Sequence, residues 1–123
     1  MPRTILTAVF AGALLAASAP VMAHHGWSAQ EEQFSDLTGT VTRGVSLAGP
    51  HGTIQIRVAN VVWEVTLAPP ARTSAAGLKP GVIPVGATVT VRGNKSTQNG
   101  RNEMKAVLVT HGSQRYAVYP DRL

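Results

Sequence analysis

Polar and apolar positions alternate in short runs along residues 37–120, and turn residues separate the runs. In "LTGTVTRGVSL" (37–47), Leu37, Gly39 and Val41 fall on one side and Thr38, Thr40 and Thr42 on the other. This is the two-residue period of a half-buried strand. Gly39 and Gly44 inside that pattern predict sharp coiling or a bulge. "AGPHG" (48–52) is turn chemistry. "TIQIRVA" and "VVWEVTLA" then alternate on either side of a turn at Ala59-Asn60, which predicts a hairpin. Ile54, Ile56 and Val58 share one face of it, as do Val61, Trp63, Val65 and Leu67, with Glu64 opposite.

The character changes over "PPARTSAAGLKPG" (69–81). Pro70 suits a helix's first turn and Gly77 its end, so a short helix over Ala71–Ala76 is expected. Strand patterning returns in "IPVGATVTVRG", with a turn at Val85-Gly86. "NKSTQNG" (94–100) is a polar loop. "EMKAVLVT" (103–110) places Val107 and Val109 on one face and Met104, Ala106 and Leu108 on the other. "HGSQ" turns the chain into a last short strand, "RYAVYP". Five or six short strands, with one helical insert between the third and fourth, predict an all-β, OB-fold-like barrel. An open sandwich of the same strands is the alternative.

Upstream of the barrel the pattern is different. Arg3 precedes an uncharged apolar run, "ILTAVFAGALLAA" (5–17), and "SAPVMA" follows it. The run is shorter than the ~20 residues that cross a bilayer and fits the apolar region of a secretory signal peptide. Cleavage is expected after Ala23. The chain then divides into a signal peptide (1–23), an N-terminal arm (24–36) and a barrel domain (37–123). "HHGWSAQEEQFSD" (24–36) lacks alternation, and Trp27 and Phe34 are its large apolar groups. They are the expected points where the arm docks on the barrel.

Composition narrows the function classes. The 123 residues include no cysteine. Disulfides, thiol catalysis, Cys-based metal sites and a lipidated N-terminal cysteine are therefore excluded. The formal net charge is +5, and its basic residues are scattered rather than clustered. That distribution, with export, argues against nucleic acid and for a mild preference for anionic partners. The expected product is a periplasmic or secreted monomer with no transmembrane segment after cleavage.

The motifs "AHHGWSA", "LTGTVT", "PHGTIQI", "WEVTLAPPAR", "GLKPG" and "GATVTVRG", taken together, span nearly the whole mature chain. In this combination the sequence resembles an uncharacterised family of secreted bacterial proteins, domain of unknown function 6152. Two places depart from the family pattern. Gly49-Pro50-His51 stands where Asn-Pro-His is usual, and Gly86-Ala87 where Gly-Asp is usual. The resemblance implies secretion and a small β-barrel-like domain, and it implies no known activity.

Candidate chemistry centres on the histidines. Cleavage after Ala23 makes His24 the N-terminus. Its α-amine and imidazole then form a chelate that suits Cu(II), which prefers nitrogen ligands in a tetragonal plane. His51, on its Gly-Pro turn, is the best third ligand, and His25 fits only a mixed arrangement. The local feature is similar to the histidine brace of secreted copper proteins. The plain reading is that both N-terminal histidines are solvated and that His51 hydrogen-bonds within its loop. Trp27 is the candidate ligand-stacking residue, with docking of the arm as its simpler role. His111 reads as a solvated turn residue. No catalytic residue is assigned: Glu64 faces solvent, no acidic pair is evident, and no Gly-x-Ser-x-Gly or phosphate-loop pattern occurs. The expectation is a non-enzymatic binding module with an unidentified ligand, copper being the one cofactor suggested. A copper-dependent redox protein and a structural accessory domain of the envelope are the alternatives.

Overall fold

The computed structural model describes residues 27–123. The expected signal peptide and both N-terminal histidines, His24 and His25, lie outside the described residues.

Six strands form in chain order: β1 (Ser35–Ser46), β2 (Thr53–Val58), β3 (Val61–Thr66), β4 (Thr88–Lys95), β5 (Glu103–His111) and β6 (Gln114–Ala117). A short helix, α1 (Pro70–Ala75), lies between β3 and β4, and a 3₁₀ turn, Pro120–Arg122, ends the chain. The sheet order is β3-β2-β1-β4-β5-β6, and β3 also pairs with β5. That pairing is parallel, Glu64 against Glu103 through Thr66 against Lys105. It closes β1 to β5 into a barrel and leaves β6 as an extra strand outside the ring. Closure removes the sandwich alternative and gives the OB-like barrel that the strand–helix order predicts.

The inward rows are the apolar sets read from the alternation. Val41 pairs with Ile56, Ile54 with Val65, and Val91 with Val109, and all six are buried. Leu67, Leu78, Ile83 and Met104 are buried in the same core. With no disulfide, burial of these side chains holds the domain, each contributing on the order of 1.5–3 kcal/mol before entropy is counted.

Two close approaches shape the barrel. A Cβ on Gly39 would lie 2.9 Å from a Val58 methyl, so β1 can pass over β2 there only without a side chain. A Cβ on Gly93 would lie 2.8 Å from the Lys105 carbonyl carbon and 2.9 Å from the Ala106 Cα. At this second place the register slips: Arg92 pairs with Leu108, yet Gly93 pairs with Ala106. β5 therefore carries one extra residue, Val107, a β-bulge. The bulge corrects the uniform alternation expected for residues 103–110. Met104 and Ala106 share the inward side with Val109, while Leu108 turns outward beside Arg92. A two-residue period cannot anticipate one inserted residue.

Local boundaries differ modestly from expectation. The helix starts at Pro70, one residue early, because a proline needs no amide partner in the first turn. β4 runs through Asn94 and Lys95, which the polar composition assigns to a loop. Asn94 is only 4% exposed, and its buried amide serves the arm, as described below. The β2–β3 turn places both Ala59 (φ 47°) and Asn60 (φ 70°) in the left-handed region. This is the two-residue geometry whose twist matches a hairpin.

Two substitutions test this account. Ala59→Gly removes left-handed strain and should raise stability by about 0.5–1 kcal/mol in urea unfolding. Gly93→Ala forces a methyl into the β5 backbone. It should cost on the order of 2–3 kcal/mol, read as a Tm fall of roughly 10 °C, or prevent folding.

Candidate functional site

The N-terminal arm crosses the outer face of the barrel where β4 ends and β5 begins. Its backbone extends the sheet: the Glu31 amide donates to the Lys95 carbonyl at 2.8 Å and the Thr97 amide to the Ala29 carbonyl at 2.9 Å. Gln30 and Ser96 form an isolated bridge. Beneath the arm, the Asn94 side-chain amide donates to the carbonyls of Glu31 (2.9 Å), Gln33 (3.2 Å) and Glu32 (3.4 Å). Among the described residues, two buried amide oxygens, Gln30 Oε1 and Asn94 Oδ1, lack a donor.

Docking therefore differs from expectation at one aromatic. Phe34 is 42% exposed and does not anchor the arm; the Asn94 fan of hydrogen bonds does so at that position. Trp27 behaves as the docking reading expects. Its ring meets Tyr119 edge to face, centroids 5.1 Å apart at 76°, an arrangement that aromatic quadrupoles favour.

A group of cations surrounds this pair. The Lys105 ammonium lies 4.4 Å from the Trp27 ring centroid and 5.7 Å from that of Tyr119. The Arg122 guanidinium carbon stacks 3.8 Å over Trp27, and that of Arg72 lies 4.8 Å over Tyr119. Each such contact contributes roughly 0.5–2 kcal/mol, the larger value where water is excluded. Lys105 is 5% exposed, rare for a lysine. Burial lowers its pKa from the usual lysine range, and the nearby Arg122 charge lowers it further. Burial also raises the Tyr119 hydroxyl above its ordinary value, against the pull of Arg72 and Arg122.

The β5 bulge builds this constellation. Val107, displaced from the ladder with β4, turns its carbonyl to the C-terminal segment, where it accepts from the amides of Val118 (3.0 Å) and Tyr119 (3.2 Å). That contact sets Tyr119 beside Lys105, two residues back on the same strand. Asp121 in the 3₁₀ turn accepts from Arg72 of α1 at 2.9 Å, which ties the helix to the same corner. A shallow cleft of about 210 Å³ opens beside Arg72, between Ala75, Ala76, Ala117, Val118 and Pro120. It is below the 300–1,000 Å³ of drug-sized ligand pockets and fits only a small group.

Of the sequence-derived site residues, His51 and Trp27 are described. His51 sits in the β1–β2 turn, is half-buried and is engaged with a neighbour. The next residue, Gly52, donates to the Ala68 carbonyl at 2.8 Å and accepts from the Leu67 amide at 2.7 Å. Thr53, Thr66 and Lys105 are register partners on β2, β3 and β5. Thr53 and Lys105 thus lie about two strand spacings apart, roughly 10 Å, with His51 two residues before Thr53; α1 lies near both, its Thr73 beside Gly52 and its Arg72 over Tyr119. Trp27 stacks on Tyr119 there rather than on His51. Among the described residues, no three His, Cys, Asp or Glu side chains group as a metal site, and no helix is long and apolar enough to cross a membrane. Glu64 faces outward as expected and pairs with Arg43 at 2.8 Å and with Gln55.

Sequence reasoning missed Lys105, Tyr119, Arg72 and Arg122. One signal was present: Lys105 interrupts the apolar run "EMKAVLVT", and a lysine inside a strand that is otherwise core needs a reason.

No curated protein matches the chain. Among solved structures, it is similar to the crystal structure of the ZRD-deleted mutant of TiaS in complex with agmatine. That likeness has a TM-score of 0.53 and 15% identity, and it covers 70% of this chain and 26% of that one. At such identity the shared feature is the fold. A family model matches residues 12–105, which end in β5 and include both Trp27 and Lys105. The chain belongs to the family of unknown function DUF6152.

Proposed function

We propose that the protein is an exported binding module, not an enzyme, that takes its ligand on the outer surface of the barrel end where the arm crosses β5. The leader pattern of residues 1–23 supports export to the periplasm or beyond. One observation carries the choice of site. Trp27 is pinned over Lys105 and Tyr119, so the arm reaches the barrel on β5, two strands from the β2 that follows the His51 turn. His24 precedes Trp27 by three residues, an extended span of at most ~10 Å. That reach is of the order of the two strand spacings between Lys105 and Thr53, with His51 two residues before Thr53.

A metal ion is the ligand to test first, with His24 and His51 as donors and His25 beside them. The α-amine and imidazole of His24 supply two nitrogens only after cleavage, which makes the reading sensitive to a single added residue. Cu(II) is the metal such a donor set suits.

The test titrates Cu(II) into two exported forms, one beginning at His24 and one retaining Ala23, followed by calorimetry and electron paramagnetic resonance. The expected outcome is tight one-to-one binding with a nitrogen-rich spectrum in the first form, and weakening by an order of magnitude or more in the second and in His51→Ala. Equal, weak binding in every form would remove metal from the proposal. Reversible reduction of bound copper would move the reading towards a redox protein.

A further inference from the structure

A second face of the barrel carries chemistry that the arm does not use. On the outer side of the sheet, the registers of β1, β4, β5 and β6 set two rungs next to each other. One runs Thr38–Thr90–Thr110–Arg115, the other Asp36–Arg92–Leu108–Ala117. On each strand the two residues are two positions apart, so both rungs project from the same face. A cleft of about 270 Å³ opens over them, lined by Asp36, Thr90, Arg92, Leu108, Thr110 and Arg115. It lies just below the range of roughly 300–1,000 Å³ for drug-sized ligands and suits a smaller molecule. Neither Trp27 nor His51 lines it.

The charges on the cleft wall do not cancel. Arg92 donates through Nε to Asp36 Oδ1 at 2.9 Å and through Nη2 to Asp36 Oδ2 at 3.0 Å. The hydrogen bonds from Arg92 hold the Asp36 carboxyl below its ordinary pKa, so this pair stays ionised and neutral as a unit near pH 7. Nη1 takes no part in the fork, so Arg92 is fixed in place with donors to spare. Arg115 forms no ion pair among the described residues. One positive charge is therefore left over. Arg92 and Arg115 stand on the strands either side of β5, with α-carbons on the order of 10 Å apart. The floor between them is half apolar. Leu108 faces outward yet is only 8% exposed, and Thr110, two residues on, brings a hydroxyl.

We propose that this cleft binds a small monocarboxylate, its head group held by Arg115 beside Thr110 and its short apolar body resting on Leu108. An arginine takes a carboxylate through two parallel N–H···O bonds. One negative charge matches the one unbalanced cation. A phosphate group, with a charge of about −1.5 to −2 at neutral pH, exceeds it and meets the Asp36 carboxylate as well. An exposed ion pair contributes little by itself, so the apolar floor must add to the affinity. A chain that reaches Leu108 therefore binds better than a bare head group. The site goes beyond the metal reading and shares no residue with it.

The test titrates the processed protein with butyrate, acetate and inorganic phosphate at constant ionic strength, with chloride as the control, and follows the backbone amides by NMR. Saturable shifts at Leu108, Thr110 and Arg115 are expected with butyrate. Its affinity should exceed that of acetate by roughly tenfold, as two added methylenes on an apolar floor imply, and should exceed that of phosphate. Arg115→Gln changes an exposed side chain, should keep the fold, and should weaken butyrate binding by roughly tenfold. Arg57→Gln, at an exposed arginine of β2 outside the cleft, should leave binding unchanged. Asp36→Asn releases Arg92 and should raise the affinity for phosphate relative to butyrate. Shifts no larger than those of chloride, an affinity unchanged in Arg115→Gln, or equal weakening in Arg115→Gln and Arg57→Gln would overturn the site. A preference of the unaltered protein for phosphate, or equal affinities for butyrate and acetate, would overturn the assignment of its ligand.

Discussion

The contact between Gly93 and the Lys105 peptide organises the molecule. Because glycine has no Cβ, β4 comes close enough to β5 for the register to slip by one residue there. Val107 is left without a partner on β4, and its carbonyl, on the β6 side, accepts from the amides of Val118 and Tyr119. The C-terminal turn is thereby fixed to the strand that carries Lys105, and Tyr119 becomes the floor on which Trp27 stands. One missing methyl group connects barrel closure, the path of the C-terminus and the seat of the arm.

The arm and the C-terminal turn are held by different forces. Along residues 29–33 the arm is a strand-like extension secured by backbone pairing and by the Asn94 amide. At Trp27 it is held by ring and cation contacts instead. The first kind of contact is directional and sequence-tolerant. The second depends on four particular side chains, Trp27, Tyr119, Lys105 and Arg122. Elsewhere the surface carries exposed ion pairs such as Asp36–Arg92 and Arg43–Glu64.

The TiaS likeness, at 15% identity, carries the barrel and nothing of its chemistry. Placing the binding surface therefore depends on this chain's own residues. The family match ends at residue 105, so Tyr119 and Arg122 lie beyond the matched segment while Trp27 and Lys105 lie within it. The corner combines residues from the shared part of the chain with residues from the C-terminal part.

The sequence alone determined the order of strands and helix that favours a barrel, and the β3–β5 pairing closed it. Alternation marked the inward rows of β1 to β4, the hairpin at Ala59-Asn60 and the short insert before β4, because side-chain direction in a strand is a local property with a fixed period. It also named Trp27, together with Phe34, as a point where the arm docks. It misjudged Phe34, which has the same composition signal but lies on the exposed side. It misplaced Asn94 in a loop, because a polar residue reads as solvated until a chain segment 61–63 residues away covers it. The bulge at Val107 and the meeting of Lys105, Tyr119, Arg72 and Arg122 were decided by the tertiary structure. Those side chains come from β5, the C-terminal turn and α1, and only closure of the sheet brings them together. Charge in a sequence has no partner and no dielectric until the fold supplies both.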